Sequence, residues 1–144
     1  MASKDDPMND EEHFAAGMAV RRATLGDAWV DRASANIKPY NQDFQDILTR
    51  YGWGEVWTRP GIDHKSRRML VLGTMIALGK WDEFVMHARP ALLSGNFSLA
   101  ELSEVILQQA IYCGLPAANT ALHHLADLLA QLKAEGHVIE GADA

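Results

Sequence analysis

No stretch of this chain alternates apolar and polar residues over the length of a strand. Apolar residues recur instead at three- and four-residue spacing, in runs separated by Gly and Pro, and that period belongs to helices. The predicted class is all-α, a compact helical bundle.

Each predicted helix carries its own boundary signals. Residues 11–23, EEHFAAGMAVRRA, place Phe14, Met18 and Arg21 along one side, and Gly26 precedes a short helical piece, DAWVDRASA. Pro39 suits the first turn of a third helix, with Phe44, Ile47, Leu48 and Tyr51 at helical spacing. GWGEVWTRPG at 52–61 breaks the period with glycines and a proline and reads as a loop rich in aromatics. Asp63 or Ser66 can cap the next helix, whose nearly all-apolar run from Met69 to Leu78 is expected to be the most buried element, closed by Gly79. GKWDEFVMHARPALLSG at 79–95 is amphipathic and stops at Gly95, with Pro90 bending it just after His87. SLAE at 98–101 is a capping box that launches LSEVILQQAIY. After Gly114 and Pro116 a last helix runs through AANTALHHLADLLAQLKAEG, with Leu122, Leu125, Leu129 and Leu132 as its stripe. One domain is expected over 11–136, with flexible ends at 1–10 and 137–144.

A formal charge of −6 argues against a nucleic-acid partner or an anionic membrane, since both need a basic footprint. An anionic ligand must therefore meet a local cluster of cations. The single cysteine, Cys113, leaves no intrachain disulfide, CxxC pair or multi-Cys zinc site, and a reducing cytoplasm is the expected location. The N-terminus lacks a basic-then-apolar leader pattern, and the longest apolar run, MLVLGTMIALG at 69–79, is too short to span a bilayer.

Lys80, Glu83 and His87 fall on nearly one helix face. A carboxylate beside an imidazole orients the ring and favours its charged form, as a general acid or base requires, although a solvated face shows the same spacing. His123 and His124 are adjacent, about 100° apart around a helix, and do not chelate one ion together, so no metal site is expected. Cys113 reads as a small packing residue. The doublets Arg21–Arg22 and Arg67–Arg68, with Arg59 and Arg89, supply guanidinium groups suited to carboxylates. Trp53 and Trp57 either wall a pocket or cover a bundle end. No GxxxxGK or GxGxxG occurs, so no nucleotide cofactor is expected.

The run HARPALLSGNFSLAELSEVILQQAIYCGLPAANTAL, 87–122, resembles the carboxymuconolactone decarboxylase family, with its His, small-residue turn, Ala-Leu, Gly, acidic pair and Tyr-x-Gly-x-Pro-Ala-Ala segment. GMAVRRATLGDAWVDRA at 17–33 and YGWGEVWTRPGIDHKSRRMLVLG at 51–73 resemble the γ-carboxymuconolactone branch, so the likeness covers nearly the whole chain. It implies an alkylhydroperoxidase D-like bundle of about six to seven helices. The thiol-dependent members of that superfamily carry Cys-x-x-Cys-x-x-x-His; aligning the histidine with His87 puts Lys80 and Glu83 at the thiol positions and Arg68 near the upstream glutamate. Both thiols are missing, which excludes disulfide chemistry there. A rival register on Glu104 and His123, with Pro116 and Asn119 at the thiol positions, loses the Ala-Leu-x-x-Gly match.

The resemblance implies decarboxylation of γ-carboxymuconolactone to β-ketoadipate enol-lactone and CO2 without a cofactor, because the lactone is its own electron sink. By the same resemblance His87, Glu83 and Arg68 are the catalytic candidates, and Lys80, Arg59, Arg22, Trp57 and Tyr112 the candidates for substrate binding. It further implies a small lactone dicarboxylate as ligand, no nucleic acid or membrane, and a homo-oligomer, with a hexamer expected. The alternatives are a decarboxylase or isomerase of a related lactone, or an inactive ligand-binding helical oligomer. Thiol peroxidase activity is the poorest of the alternatives.

Overall fold

The computed structural model describes residues 7–143, and among them every regular element is a helix. The expected all-α class and helix number hold. Seven α-helices and one π-helix follow in order: α1 Asp10–Leu25, α2 Asp27–Ala35, α3 Gln42–Ile47, the π-helix Leu48–Val56, α4 His64–Leu78, α5 Trp81–Leu93, α6 Leu99–Tyr112 and α7 Leu115–Ala134. Residues 1–6 and 144, within the ends expected to be flexible, lie outside the described residues. The chain divides after Ile62 into two units.

In the N-terminal unit α1 opens with a capping box: Asn9 Oδ1 accepts from the Glu12 N–H and Glu12 Oε2 from the Asn9 N–H, both at 2.9 Å. Its buried face is Gly17, Arg21, Thr24 and Leu25, while Phe14 stays exposed and Met18 half-buried. That face packs against the π-helix at backbone contact. A Cβ on Gly17 would lie 1.9 Å from the Thr49 carbonyl oxygen, and one on Gly54 2.1 Å from that of His13.

The stretch expected as a loop at 52–61 is therefore half helix. Leu48–Val56 forms a π-helix, closed by the Trp57 N–H donating to the Gly52 carbonyl at 3.1 Å. Bonding five residues back widens the turn and changes which residues face inward, so a reading at period 3.6 fails here. Thr49 and Trp53 are buried, whereas Phe44, Ile47 and Tyr51 are exposed. Pro39 sits in the turn before α3 instead of in its first turn; there Asn41 Oδ1 accepts from the Lys38 N–H at 2.7 Å and α3 starts at Gln42.

The C-terminal unit packs α4 on α5 and α6, and α7 on all three. Asp63 caps α4, its Oδ1 accepting from the Ser66 N–H at 2.7 Å, and Gly79 closes the helix in the left-handed region at φ 65°. The run Met69–Leu78 is not buried throughout as expected. Leu72, Gly73 and Ile76 face the core, but Leu70 and Leu78 are 62% and 63% exposed, because a helix packed from one side can bury only one stripe. α5 continues through Pro90 to Leu93, and Gly95 follows at φ 73°. Ser98 and Glu101 make the expected capping box at 3.0 and 2.9 Å.

α7 begins earlier than expected, at Leu115, with Pro116 in its first turn, and its buried stripe is rotated. Ala118, Ala121, Leu125, Leu128 and Leu132 face inward, while Leu122 is exposed and Leu129 half-buried. The small Ala118 and Ala121 sit inside because they allow close helix approach, leaving the larger Leu122 outside. Beyond α7, Ile139 packs on the core and Lys133 Nζ bonds Asp143 Oδ1 at 3.1 Å. Among the described residues no helix is long and apolar enough to cross a membrane.

Gly17→Ala tests the helix contact. On an open helix surface this change stabilises by about 1 kcal/mol. Here the new methyl would meet a main-chain oxygen, so denaturant unfolding is expected to show a loss of about 1–3 kcal/mol.

Candidate active site

α4 and α5 bring two of the sequence candidates together. Arg68 lies early in α4, on the stripe of Leu72 and Ile76, and His87 lies in α5 between the buried Phe84 and Ala88. Both are 7% exposed. Burial holds the Arg68 guanidinium below its ordinary range, and no carboxylate pairs with it among the described residues. Its Nη1 is buried with no hydrogen-bond partner there. His87 is pushed down to about 4, first by burial and second by the positive charge of Arg68.

His87 is thus neutral at ordinary pH, where the sequence pattern suggests a charged form favoured by Glu83. Glu83, one turn earlier, is exposed, and the nearby charge that acts on the ring is the cation. Lys80 flanks the start of α5, also exposed. The triplet that shares one helix face in the sequence is therefore split by burial: the imidazole turns into the bundle and the two flanking charges stay in solvent.

The remaining candidates are placed as follows. Tyr112, at the end of α6, is 79% exposed. In the N-terminal unit Trp57 is buried against Trp53, ring centroids 4.8 Å apart, and Arg59 is exposed. Arg22 is already matched by two carboxylates, Asp27 at 3.1 Å and Asp31 at 2.8 Å. His124 stacks on Trp81 at 5.3 Å. Cys113 donates to Gln109 Oε1 at 3.5 Å, in keeping with a packing role. No three His, Cys, Asp or Glu side chains converge among the described residues in a way that could hold a metal ion.

A further buried cation comes from a doublet that the sequence offers only as a general source of guanidinium groups. Arg21, not its neighbour Arg22, turns inward in the N-terminal unit at 2% exposure. A signal existed, since Gly17, Arg21 and Leu25 recur at four-residue spacing and share a face.

A buried guanidinium beside a neutral imidazole can seat an anionic oxygen and hold or pass a proton next to it. A profile of the Carboxymuconolactone decarboxylase family matches residues 42–127, a span that contains both Arg68 and His87. The chain belongs to that family. It is 42% identical over 116 residues to the 4-carboxymuconolactone decarboxylase of Acinetobacter baylyi, covering 81% of this chain and 86% of the relative. It is 39% identical over 120 residues to the nitrosuccinic acid decarboxylase of Metarhizium robertsii, covering 81% and 83%. A 48-residue 4-carboxymuconolactone decarboxylase sequence from Pseudomonas putida matches along its entire length at 44% identity, over 33% of this chain.

The depressed His87 predicts a pH effect on stability. The fold favours the neutral ring, so the stabilisation is present above about 6.5 and is lost as pH falls toward 4, as the unfolded chain takes up a proton that the folded one refuses. The loss is on the order of 3 kcal/mol. Denaturant unfolding across that window should show it in the wild type, and His87→Gln should flatten the slope.

Proposed function

We propose that this chain is a carboxy-lyase that converts γ-carboxymuconolactone into β-ketoadipate enol-lactone and CO2, a step of protocatechuate breakdown. The observation that carries the reading is the buried Arg68 beside a neutral His87, in a chain 42% identical to a 4-carboxymuconolactone decarboxylase.

In this substrate the departing carboxylate sits on the ring carbon at the far end of the conjugated system. Breaking the bond to CO2 sends its electron pair through the C=C bond onto the lactone carbonyl oxygen and leaves a furan-type dienolate. A proton delivered to the carbon next to the carbonyl completes the enol-lactone. The lactone itself accepts the electrons, so the reaction needs no pyridoxal, thiamine or metal.

Arg68 is assigned to the anionic oxygen, where a low-dielectric cation has its greatest effect. His87 is assigned to the proton. It is neutral before substrate arrives, and a dianion seated on Arg68 both offsets the cation and adds negative charge, which raises the affinity of the ring for a proton. Lys80, exposed just before α5, is a further candidate for substrate contact, and Glu83, exposed in its first turn, is the remaining catalytic candidate. Arg59, Arg22, Trp57 and Tyr112 are further candidates for substrate contact, with Arg22 the poorest because its charge is already paired.

A second reading is favoured by the likeness to a nitrosuccinic acid decarboxylase. Nitrosuccinic acid carries a carboxylate on the carbon that bears the nitro group, so its departing electron pair also ends on oxygen. The same cation and proton donor serve both reactions. We further propose a cytoplasmic homo-oligomer. Leu107, Ile111, Tyr112 and Leu115 at the end of α6 and start of α7 are 61%, 77%, 79% and 72% exposed, an apolar face suited to a second copy.

The test is CO2 release from freshly prepared γ-carboxymuconolactone and, separately, nitrosuccinate, against controls without protein. Wild type should turn over the lactone. His87→Ala should lower kcat by about 10²–10⁴-fold with the fold retained, and near-normal turnover in that variant would reject the role of His87. Calorimetry of a dicarboxylate analogue in buffers of different ionisation enthalpy should show proton uptake on binding below about pH 6.5, absent in His87→Gln.

A further inference from the structure

We propose that Arg21 is a second anion receptor, located in the N-terminal unit, that takes a carboxylate on the Nε edge of its guanidinium. This rests on the proposed substrate class only in choosing a carboxylate as the anion.

Arg21 is 2% exposed. Nη2 donates to Gln45 Oε1 at 3.1 Å and Nη1 to Thr49 Oγ1 at 3.4 Å, and the guanidinium carbon lies 5.5 Å from the centre of the Trp29 ring. All three neighbours are neutral. Among the described residues Nε is buried with no hydrogen-bond partner, and no carboxylate pairs with the side chain. The nearby arginines of the same unit differ: Arg22 is matched by Asp27 and Asp31, and Arg50 by Asp10. A desolvated charge with only neutral acceptors is unfavourable, and burial alone depresses its proton affinity.

The backbone around it is closely packed. Gly17, one turn before Arg21, is locked against the Thr49 carbonyl, and Gln45 and Thr49 flank the junction where α3 becomes the π-helix. Nε–H, buried and without a partner among the described residues, lies on the side-on edge of the guanidinium, the edge at which a carboxylate can take two parallel bonds from Nε and Nη2. Such an edge, held in place with its charge unmatched, is a receptor waiting for an anion. Arg21 also lies outside the span 42–127 that the family profile matches, whereas Arg68 and His87 lie within it.

The experiment is a titration of the full chain with succinate at constant ionic strength, following the ¹⁵N-labelled arginine Nε–Hε signals, with chloride as the control. The Arg21 signal, assigned by its loss in Arg21→Lys, should shift saturably with succinate and not with chloride, and should do so in Arg68→Gln as well. A static Arg21 signal, or equal shifts with both anions, overturns the proposal. Because nothing here requires turnover, failure of the decarboxylase reading leaves this result standing. Gln45→Glu gives a second test that does not disturb Arg21 itself. It places a carboxylate 3.1 Å from Nη2, so it should raise the melting temperature and abolish the succinate response; an unchanged response would overturn the proposal. With active protein, the kinetic pattern separates two sources of the carboxylate. If it belongs to the substrate, succinate competes and Arg21→Lys raises KM on the order of 10-fold or more with kcat nearly kept. If it belongs to a separate regulatory anion, succinate alters kcat and leaves KM in place; a response of neither constant in wild type or variant counts against the receptor.

Discussion

A guanidinium held inside an apolar helical layer, with no carboxylate paired to it among the described residues, is the constraint on which the proposed site depends. Arg68 is kept there by α4, whose start is pinned by the Asp63 cap and whose buried stripe is completed by Leu72 and Ile76. In water such a cation would be solvated and its neighbours would titrate normally. Inside the bundle its charge adds to the burial that keeps His87 neutral, and one of its guanidinium nitrogens is buried without a hydrogen-bond partner among the described residues. Desolvation is destabilising for the protein by itself and useful to the proposed reaction, whose substrate brings negative charge.

The distribution of cations in an acidic chain makes the same point. Arg22, Arg50, Lys65, Arg89 and Lys133 are each matched to an acid at or near the surface. Pairs of that kind contribute little to stability. Arg68 and Arg21, one in each unit, are buried and answered by no carboxylate among the described residues. The net charge of −6 shows neither of them, because charge counted over a chain carries no information about which groups have lost their water.

Much of the fold was legible because its signals are local. The capping box at Ser98 and Glu101, the cap at Asp63, and Gly79 and Gly95 after their helices are decided within a few residues. The π-helix was not legible, since it is held by backbone contact between Gly17 and Gly54 partners far apart in sequence. The stripe of α7 was misread at Leu122 for a related reason. Leucines on two adjoining faces give the same period, and only the approach of neighbouring helices selects Ala118 and Ala121 for the inside.

For the site, order along the chain was enough to reveal the family and to nominate His87, Glu83 and Arg68 as catalytic candidates. It could not separate Arg21 from Arg22, or show that Glu83 and Lys80 remain in solvent while His87, on nearly the same face, is buried. The sequence by itself determined which groups are present, their helical phase and the ends of most helices, because these follow from nearest-neighbour chemistry. Tertiary structure alone decided which charges lose water and which charge faces which ring. Protonation and cation strength are set by burial and by neighbours distant in the chain, and so they appear only once the helices are packed.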